Sequence, residues 1–298
     1  MTSGTQRSND IDRQTRRMAE LLVTPSWLLI VVIFAVPILV AFYLSFRNET
    51  LGTFVPGHFI GLQNYTTALT DARFWESIGT TCLLIVMGLV VQIPLGVALA
   101  LLIEKNLPGT QIFRTALMVP MLLTPVAVGL IWRFMFDADL GIINWALGIL
   151  GIQGPNWLGA RWPALLAVTI VDSWQSIPFI MLTILAALVG LSKGPAEAAA
   201  IDGANTFQIF FYVTLPSLQK IILLIVMIRI IDSLKMFDLI FIVTSKGGPG
   251  TATQTLGMLV YNTGFGFFQT SRAAALGVLM VILVSPIYWL WRRAAREQ

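Results

Sequence analysis

Residues 78–103 read IGTTCLLIVMGLVVQIPLGVALALLI, and no charged side chain interrupts the run. A bilayer core about 30 Å thick is crossed by about 20 apolar residues in a helix, so this stretch alone is long enough to span a membrane. Five further segments have similar length and character: Pro25–Phe46, Thr115–Phe136, Ala164–Leu191, Ile221–Val243 and Ala273–Trp291. None shows the period-two alternation of a barrel strand, so the predicted fold is all-α, a polytopic membrane protein with six transmembrane helices. Proline lies inside several spans (Pro37, Pro94, Pro120, Pro125, Pro178), and each removes a backbone bond that neighbouring helices must help to satisfy. That favours a packed bundle. The first segment is too long for a cleaved signal, and no small-residue cleavage site precedes the polar stretch from Arg47.

Composition agrees. Of 298 residues, 56% are apolar and 11% charged, and the mean hydropathy is +0.81. A soluble domain carries about 25% charged residues, and a soluble chain this apolar would leave too much hydrocarbon in water. The single Cys82 excludes an internal disulfide, a cysteine metal site and a CxxC redox pair. The single His58 excludes an HExxH site, so no metal is expected. With a net charge of +4, the basic residues read as topology marks rather than as a nucleic-acid surface.

With the N-terminus inside, the inner basic set is Arg7, Arg13, Arg16, Arg17, Lys105, Arg114, Lys193, Lys220, Arg292, Arg293 and Arg296. The outer set is smaller: Arg47, Arg73, Arg133, Arg161, Lys246 and Arg272. This bias predicts both termini in the cytoplasm. The expected division is a cytoplasmic tail over 1–23, a transmembrane domain over 24–292 and a short tail over 293–298. Trp289 and Trp291 end the sixth span and read as interface anchors, whereas Trp174 reads as anchor or core.

The inner loop over 192–220 is the least ordinary stretch. Pro195 suits a first helical turn, Glu197 favours the positive end of the dipole, and Gly203 is a natural stop. Asn205 or Thr206 can cap a second short helix over Phe207–Val213, which Pro216 is expected to end. The second helix is rich in Phe207, Phe210 and Phe211. It reads either as an interfacial helix on lipid headgroups or as a pair that docks in another protein's groove.

Span five carries Arg229, Asp232, Lys235 and Asp238, alternating in sign at three-residue spacing within one expected helix. Charge at bilayer depth costs at least about 2.5 kcal/mol near the centre and usually faces a bundle interior or a wet cavity. The ladder is either self-neutralised along the helix or a polar wall on a solute path. Arg229, Asp232, Ser233 and Met236 share one face, and so do Asp172, Gln175, Ser176, Phe179 and Thr183 on span four. Hydroxyl partners beside an aromatic face suit a sugar. Gly247–Gly250 reads as a tight turn ahead of a short outer helix over Thr253–Asn262.

Glu197-Ala198-Ala199, with Gly203 four residues on and Val213-Thr214-Leu215-Pro216 at the end, resembles the EAA loop of permease subunits in binding-protein-dependent ABC importers. The departure is Val213 for Ile. Lys246-Gly247-Gly248-Pro249-Gly250, Phe59-Ile60-Gly61-Leu62-Gln63-Asn64-Tyr65 and Ile201-Asp202-Gly203-Ala204 are similar to the carbohydrate-uptake branch, the maltose- and glycerol-phosphate-type first permease.

The resemblance implies a type I ABC importer permease fold in a bacterial cytoplasmic membrane. It implies a non-enzymatic subunit that passes a sugar or sugar-derived solute received from an extracytoplasmic binding protein. Glu197, Ala198, Ala199, Asp202, Gly203, Phe207, Phe210, Leu215 and Pro216 would then couple to a cytosolic ATPase. The sequence has no GxxxxGK[ST] loop, so ATP and Mg²⁺ would sit on two separate ATPase subunits, with a second homologous permease alongside and lipid around. Residues aligned with Gln175, Ser176, Phe179, Arg229, Asp232, Ser233 and Met236 resemble the sugar site of maltose-type permeases. Arg and Asp replace the Asn and Phe common there on span five, which leaves open a more polar or anionic solute, or a site mainly in the partner. The competing class is a secondary carrier with the charges as an ion relay.

Overall fold

The structure, a computed structural model, describes residues 3–52 and 57–294. The helices in chain order are α1 (Ser3–Leu44), α2 (Gln63–Thr70), α3 (Ala72–Glu104), α4 (Thr110–Leu122), α5 (Pro125–Met135), α6 (Ile142–Ile149), α7 (Arg161–Gly190), α8 (Gly194–Ile201), α9 (Thr206–Ile209), α10 (Leu215–Lys235), α11 (Asp238–Val243), α12 (Leu256–Tyr261) and α13 (Thr270–Ala294). No strand occurs among the described residues, only an isolated bridge between Arg47 and Phe59. Among the described residues, four helical stretches are long and apolar enough to cross a membrane: Val23–Leu44, Ala72–Glu104, Arg161–Gly190 and Thr206–Lys235. The pair α4–α5 supplies another crossing if counted as one broken span, and Thr270–Pro286 is a shorter apolar stretch. Backbone helix runs through position 23 without interruption, while the end of the tail over 293–298 and the side chains of Trp291 and Arg296 lie outside the described residues.

Close packing of α3 on α7 forms the centre of the bundle. Gly96 permits it, because a Cβ there would overlap the side chain of Ile180. Two apolar clusters follow from this contact. The inner one joins Val97, Ala100 and Ile103 of α3 to Ile180, Ile184 and Leu188 of α7 and to Leu218 and Ile225 of α10. The outer one joins Leu84 of α3, Val128 of α5, Leu165 and Val168 of α7, and Leu239 and Ile240 of α11. Helix α1 exposes Trp27 through Tyr43 almost all round and packs mainly on α13, as a lipid-facing helix does.

Three sequence expectations need correction. Span three is not one helix over Thr115–Phe136: α4 and α5 meet at 99°. Pro125 lacks an N–H and drives Thr124 into the extended region (φ −68°, ψ 142°), where its hydroxyl caps α5 at the N–H of Ala127. Span five is not one helix over Ile221–Val243 either. It stops at Lys235, turns through Met236 and Phe237, and restarts at Asp238, so Asp238 is not on the helix that carries Arg229. No proline explains that break. A tertiary contact holds it: the Thr255 hydroxyl, at the start of α12, donates to the Met236 carbonyl at 3.0 Å. Finally, Pro216 does not end the second loop helix. A π-turn over Phe210–Thr214, closed by Leu215 N–H to the Phe210 carbonyl, carries α9 into α10, with Pro216 in the first turn of α10 where its missing N–H costs little.

Candidate functional site

The segment between α7 and α10 is built as its residues dictate. Pro195 and Glu197 lie in the first turn of α8. At its end Gly203 takes φ +86°, and two bonds close the turn: Gly203 N–H to the Ala200 carbonyl and Ala204 N–H to the Ala199 carbonyl. That pairing is a Schellman end, which the left-handed glycine makes possible. Asn205 and Gln208 then form a reciprocal capping box at the start of α9, with bonds of 2.9 and 2.7 Å. The result is two short helices joined by a tight turn, a corner of the fold.

This corner is apolar outside. Ile201 is 86% exposed, Phe207 77% and Tyr212 80%, each as bare as a core residue is covered. Glu197 and Asp202 are exposed as well, and their carboxylates have no ion-pair or hydrogen-bond partner among the described residues. Ala198 and Gly203 are exposed, while Ala199 and Leu215 are half-buried and Pro216 is exposed. Phe210 differs from its neighbours. It packs against the inner cluster and touches Phe211 with ring centroids 5.0 Å apart, so it supports the corner from within.

The span-five charges are arranged otherwise than as a ladder. Arg229, 7% exposed, reaches across the bundle: its Nη2 donates to both carboxylate oxygens of Asp172 at 2.9 and 2.7 Å, and its Nε donates to Gln92 Oε1 at 2.9 Å. Gln92 Nε2 in turn donates to Asp172 Oδ2 at 2.7 Å and to Ser173 Oγ at 3.3 Å, and Ser176 Oγ donates to Asp172 Oδ1 at 3.3 Å. Asp232 is elsewhere, paired with Lys235 at 3.2 Å on an exposed part of the helix. Hence Asp172, Ser176 and Arg229 come together, and Asp232 stands apart from them.

The remaining stripe residues take separate places. Gln175 Nε2 donates to the Leu123 carbonyl at 2.9 Å and so satisfies the break between α4 and α5. Phe179 leans on the inner cluster and Met236 on the outer one. Ser233 is buried. Trp174 meets Trp132 edge-on at 5.7 Å, and Trp289 is exposed on α13. The turn over Gly247–Gly250 is present, with its following helix at Leu256–Tyr261, and the Thr253 hydroxyl bonds to both Thr244 and Gly248.

Sequence reading missed Gln92. A signal was available: Gly88, Gln92 and Gly96 recur at four-residue spacing on one face, and small residues beside a polar one mark a close helix contact in membranes.

Residues 92–296 match the family described as binding-protein-dependent transport system inner membrane component. Over 278 residues the chain is 38% identical to the probable ABC transporter permease protein y4oQ of Sinorhizobium fredii, covering 91% of this chain and 89% of that protein. It is 31% identical over 281 residues to the trehalose/maltose transport system permease protein MalF of Thermococcus litoralis, covering 94% of each. The sulfoquinovosyl glycerol transport system permease protein SmoG of Agrobacterium fabrum is 33% identical over 290 residues, 97% of this chain and 93% of that one. Among solved structures, a chain of a bacterial ABC transporter that imports alginate superposes with a TM-score of 0.80 at 20% identity, covering 98% of this chain and 99% of that one.

Proposed function

The chain belongs to the family of binding-protein-dependent transport system inner membrane components and is a non-catalytic permease subunit of an ABC importer, and from that premise we propose that its solute is a neutral, polyhydroxylated sugar. The observation that carries the choice of solute is charge cancellation. Arg229 is neutralised by Asp172, and Asp232 by Lys235, so neither stripe offers a free cation to an anionic sugar. The relative named for trehalose and maltose carries neutral sugars and the one named for sulfoquinovosyl glycerol an anionic one, so the choice rests on the charge cancellation and not on the relatives. The half-buried Gln175 and Ser176 of α7 would supply amide and hydroxyl groups to such a solute, with the Phe179 ring one turn further on.

In this reading the protein crosses a bacterial inner membrane six times with both termini inside. It pairs with a second homologous permease. Two ATPase subunits carry ATP and Mg²⁺, and the exposed α8–α9 corner seats in a cleft of one of them. Ile201, Phe207 and Tyr212 would be buried there, and Glu197 and Asp202 would meet basic groups. A binding protein delivers the solute outside. The carrier alternative lacks support, because Arg229 pairs across the bundle instead of along its helix and the matched relative y4oQ is named as an ABC transporter permease.

Uptake by the purified assembly in liposomes tests this, with the binding protein outside and ATP inside. Labelled trehalose or maltose should accumulate only with ATP, and a uronic-acid oligosaccharide should not compete. Preferred uptake of the acidic sugar would overturn the neutral-solute reading, and accumulation without ATP would overturn the coupling to an ATPase.

A further inference from the structure

Between the inner and outer apolar clusters the bundle contains one buried polar layer, made by Gln92 of α3, Asp172 and Ser173 of α7, and Arg229 of α10. Its position relative to the α8–α9 corner is the point of interest. The corner is entered from α7 and left through α9, the π-turn and α10. Asp172 lies about 27 Å up α7 from its inner end, and Arg229 about 21 Å up α10 from its start, at 1.5 Å per helical residue. The two helices that frame the corner are therefore tied to each other far from it, by one ion pair, and both are tied to α3 by one amide.

Resting on the reading above, we propose that Gln92, Asp172 and Arg229 are positioning residues of the transport step: they lock α7 and α10 at a fixed angle, so that displacement of the corner moves the solute path instead of spreading α7 from α10. Three features favour a lock over a greasy contact. Leu218 and Ile225 pack by shape alone and allow small slides, whereas Arg229 meets Asp172 through two charge-assisted bonds and Gln92 through a third at a different nitrogen, which fixes rotation as well as distance. Gly88 leaves the space that the layer occupies, since a Cβ there would come within 3.1 Å of Gln92 Nε2 and 3.6 Å of Asp172 Oδ2. The pair is also electrically neutral and shielded, with side-chain exposures of 8% and 16%, so salt and solvent weaken it little.

The test compares the complete transporter carrying Asp172→Asn or Gln92→Leu with wild type, reading solute imported per ATP hydrolysed in liposomes. The expected result is continued ATP hydrolysis with that ratio lowered about tenfold, within the range of coupling between distant sites. Because Asp172→Asn leaves Arg229 without a counter-charge and can reduce assembly, the double variant Asp172→Leu/Arg229→Met gives a second route, since apolar replacement of both partners keeps the packing. It should assemble and show the same fall. A residue that merely holds the fold would lower the amount of complex and leave the ratio unchanged; an unchanged ratio in the assembled variants overturns the proposal. Spin labels at Gly190 and Ser217 in otherwise wild-type protein should keep one distance with and without ATP, and a distance that changes between the two states would also overturn it. If wild type itself showed no ATP-driven uptake, the functional reading would fail first.

Discussion

Gly96 on α3 faces Ile180 on α7 so closely that a Cβ built on the glycine would stand 2.9 Å from the Cβ of Ile180, inside van der Waals distance. Ile180 is fully buried and cannot swing away, and the next atom met is the backbone nitrogen of Met181 at 3.5 Å. Gly96→Val should force α3 and α7 apart. Overpacking of this kind costs about 1–3 kcal/mol, and here it also pulls Gln92 from its partners one turn away. The expected outcome is a lower unfolding midpoint in detergent, measured by thermal stability of the purified complex; a midpoint equal to wild type would show that the contact is soft.

The spans were legible because each is a local pattern of apolar residues that a helix must adopt in hydrocarbon. The corner was legible as well: Gly203 and Asn205 act within one turn of themselves, and both take the backbone states expected of them. What escaped was non-local. Nothing near Met236 and Phe237 announces a break, since it is held by Thr255 at the start of a later helix. Likewise Arg229 had charges of the right sign three residues away and pairs instead with Asp172, 57 residues earlier, because only the packed bundle decides which neighbour is nearest. Phe210 shows the same limit. Three phenylalanines in one short run look alike until the π-turn rotates one of them inward.

Phe207 and Phe210 should therefore respond oppositely to truncation. Phe207 is 77% exposed and buries little within its own chain, so Phe207→Ala should leave the folded yield and midpoint unchanged while weakening retention of the ATPase subunit. Phe210→Ala removes part of the inner cluster and should cost about 1–3 kcal/mol, less than a fully buried ring. Co-purification of ATPase and thermal midpoint, read on both variants, separate the two roles. Equal loss of midpoint in both would contradict the inward–outward split.

At the start of α3, Asp71 joins two elements. It caps α3 through the Arg73 N–H, pairs with the Arg73 guanidinium at 3.0 Å and accepts from Arg272 of α13 at 2.6 Å. The Arg73 side-chain bonds, followed by that backbone bond and the nearby charges, hold the Asp71 carboxyl below its ordinary 3.8. A carboxyl depressed in the folded state contributes fully above its unfolded value and loses that contribution as pH falls through the folded one. The difference in midpoint between wild type and Asp71→Asn should thus be constant near neutrality and shrink below pH 3.8. A difference that persists undiminished in acid would assign the effect to shape instead of charge.

Gly203 is the sharpest test of the corner. Its φ of +86° lies where L side chains are strained, yet a Cβ there would meet nothing within 4 Å. The cost of substitution is conformational alone, with no clash to confuse it. A β-branched residue is the worst tolerated at positive φ, so Gly203→Val should unwind the Schellman turn and change the angle between α8 and α9, at a cost of about 1–2 kcal/mol. That cost falls on an exposed corner outside both apolar clusters, so insertion, span packing and midpoint should hold. ATPase stimulation by loaded binding protein should be lost, because Phe207 and Glu197 no longer present one surface. Gly203→Asn keeps a residue that tolerates the left-handed region and should retain most of the stimulation. Loss in both variants would point to space above the glycine as what matters, and retention in both would remove the corner from the coupling path.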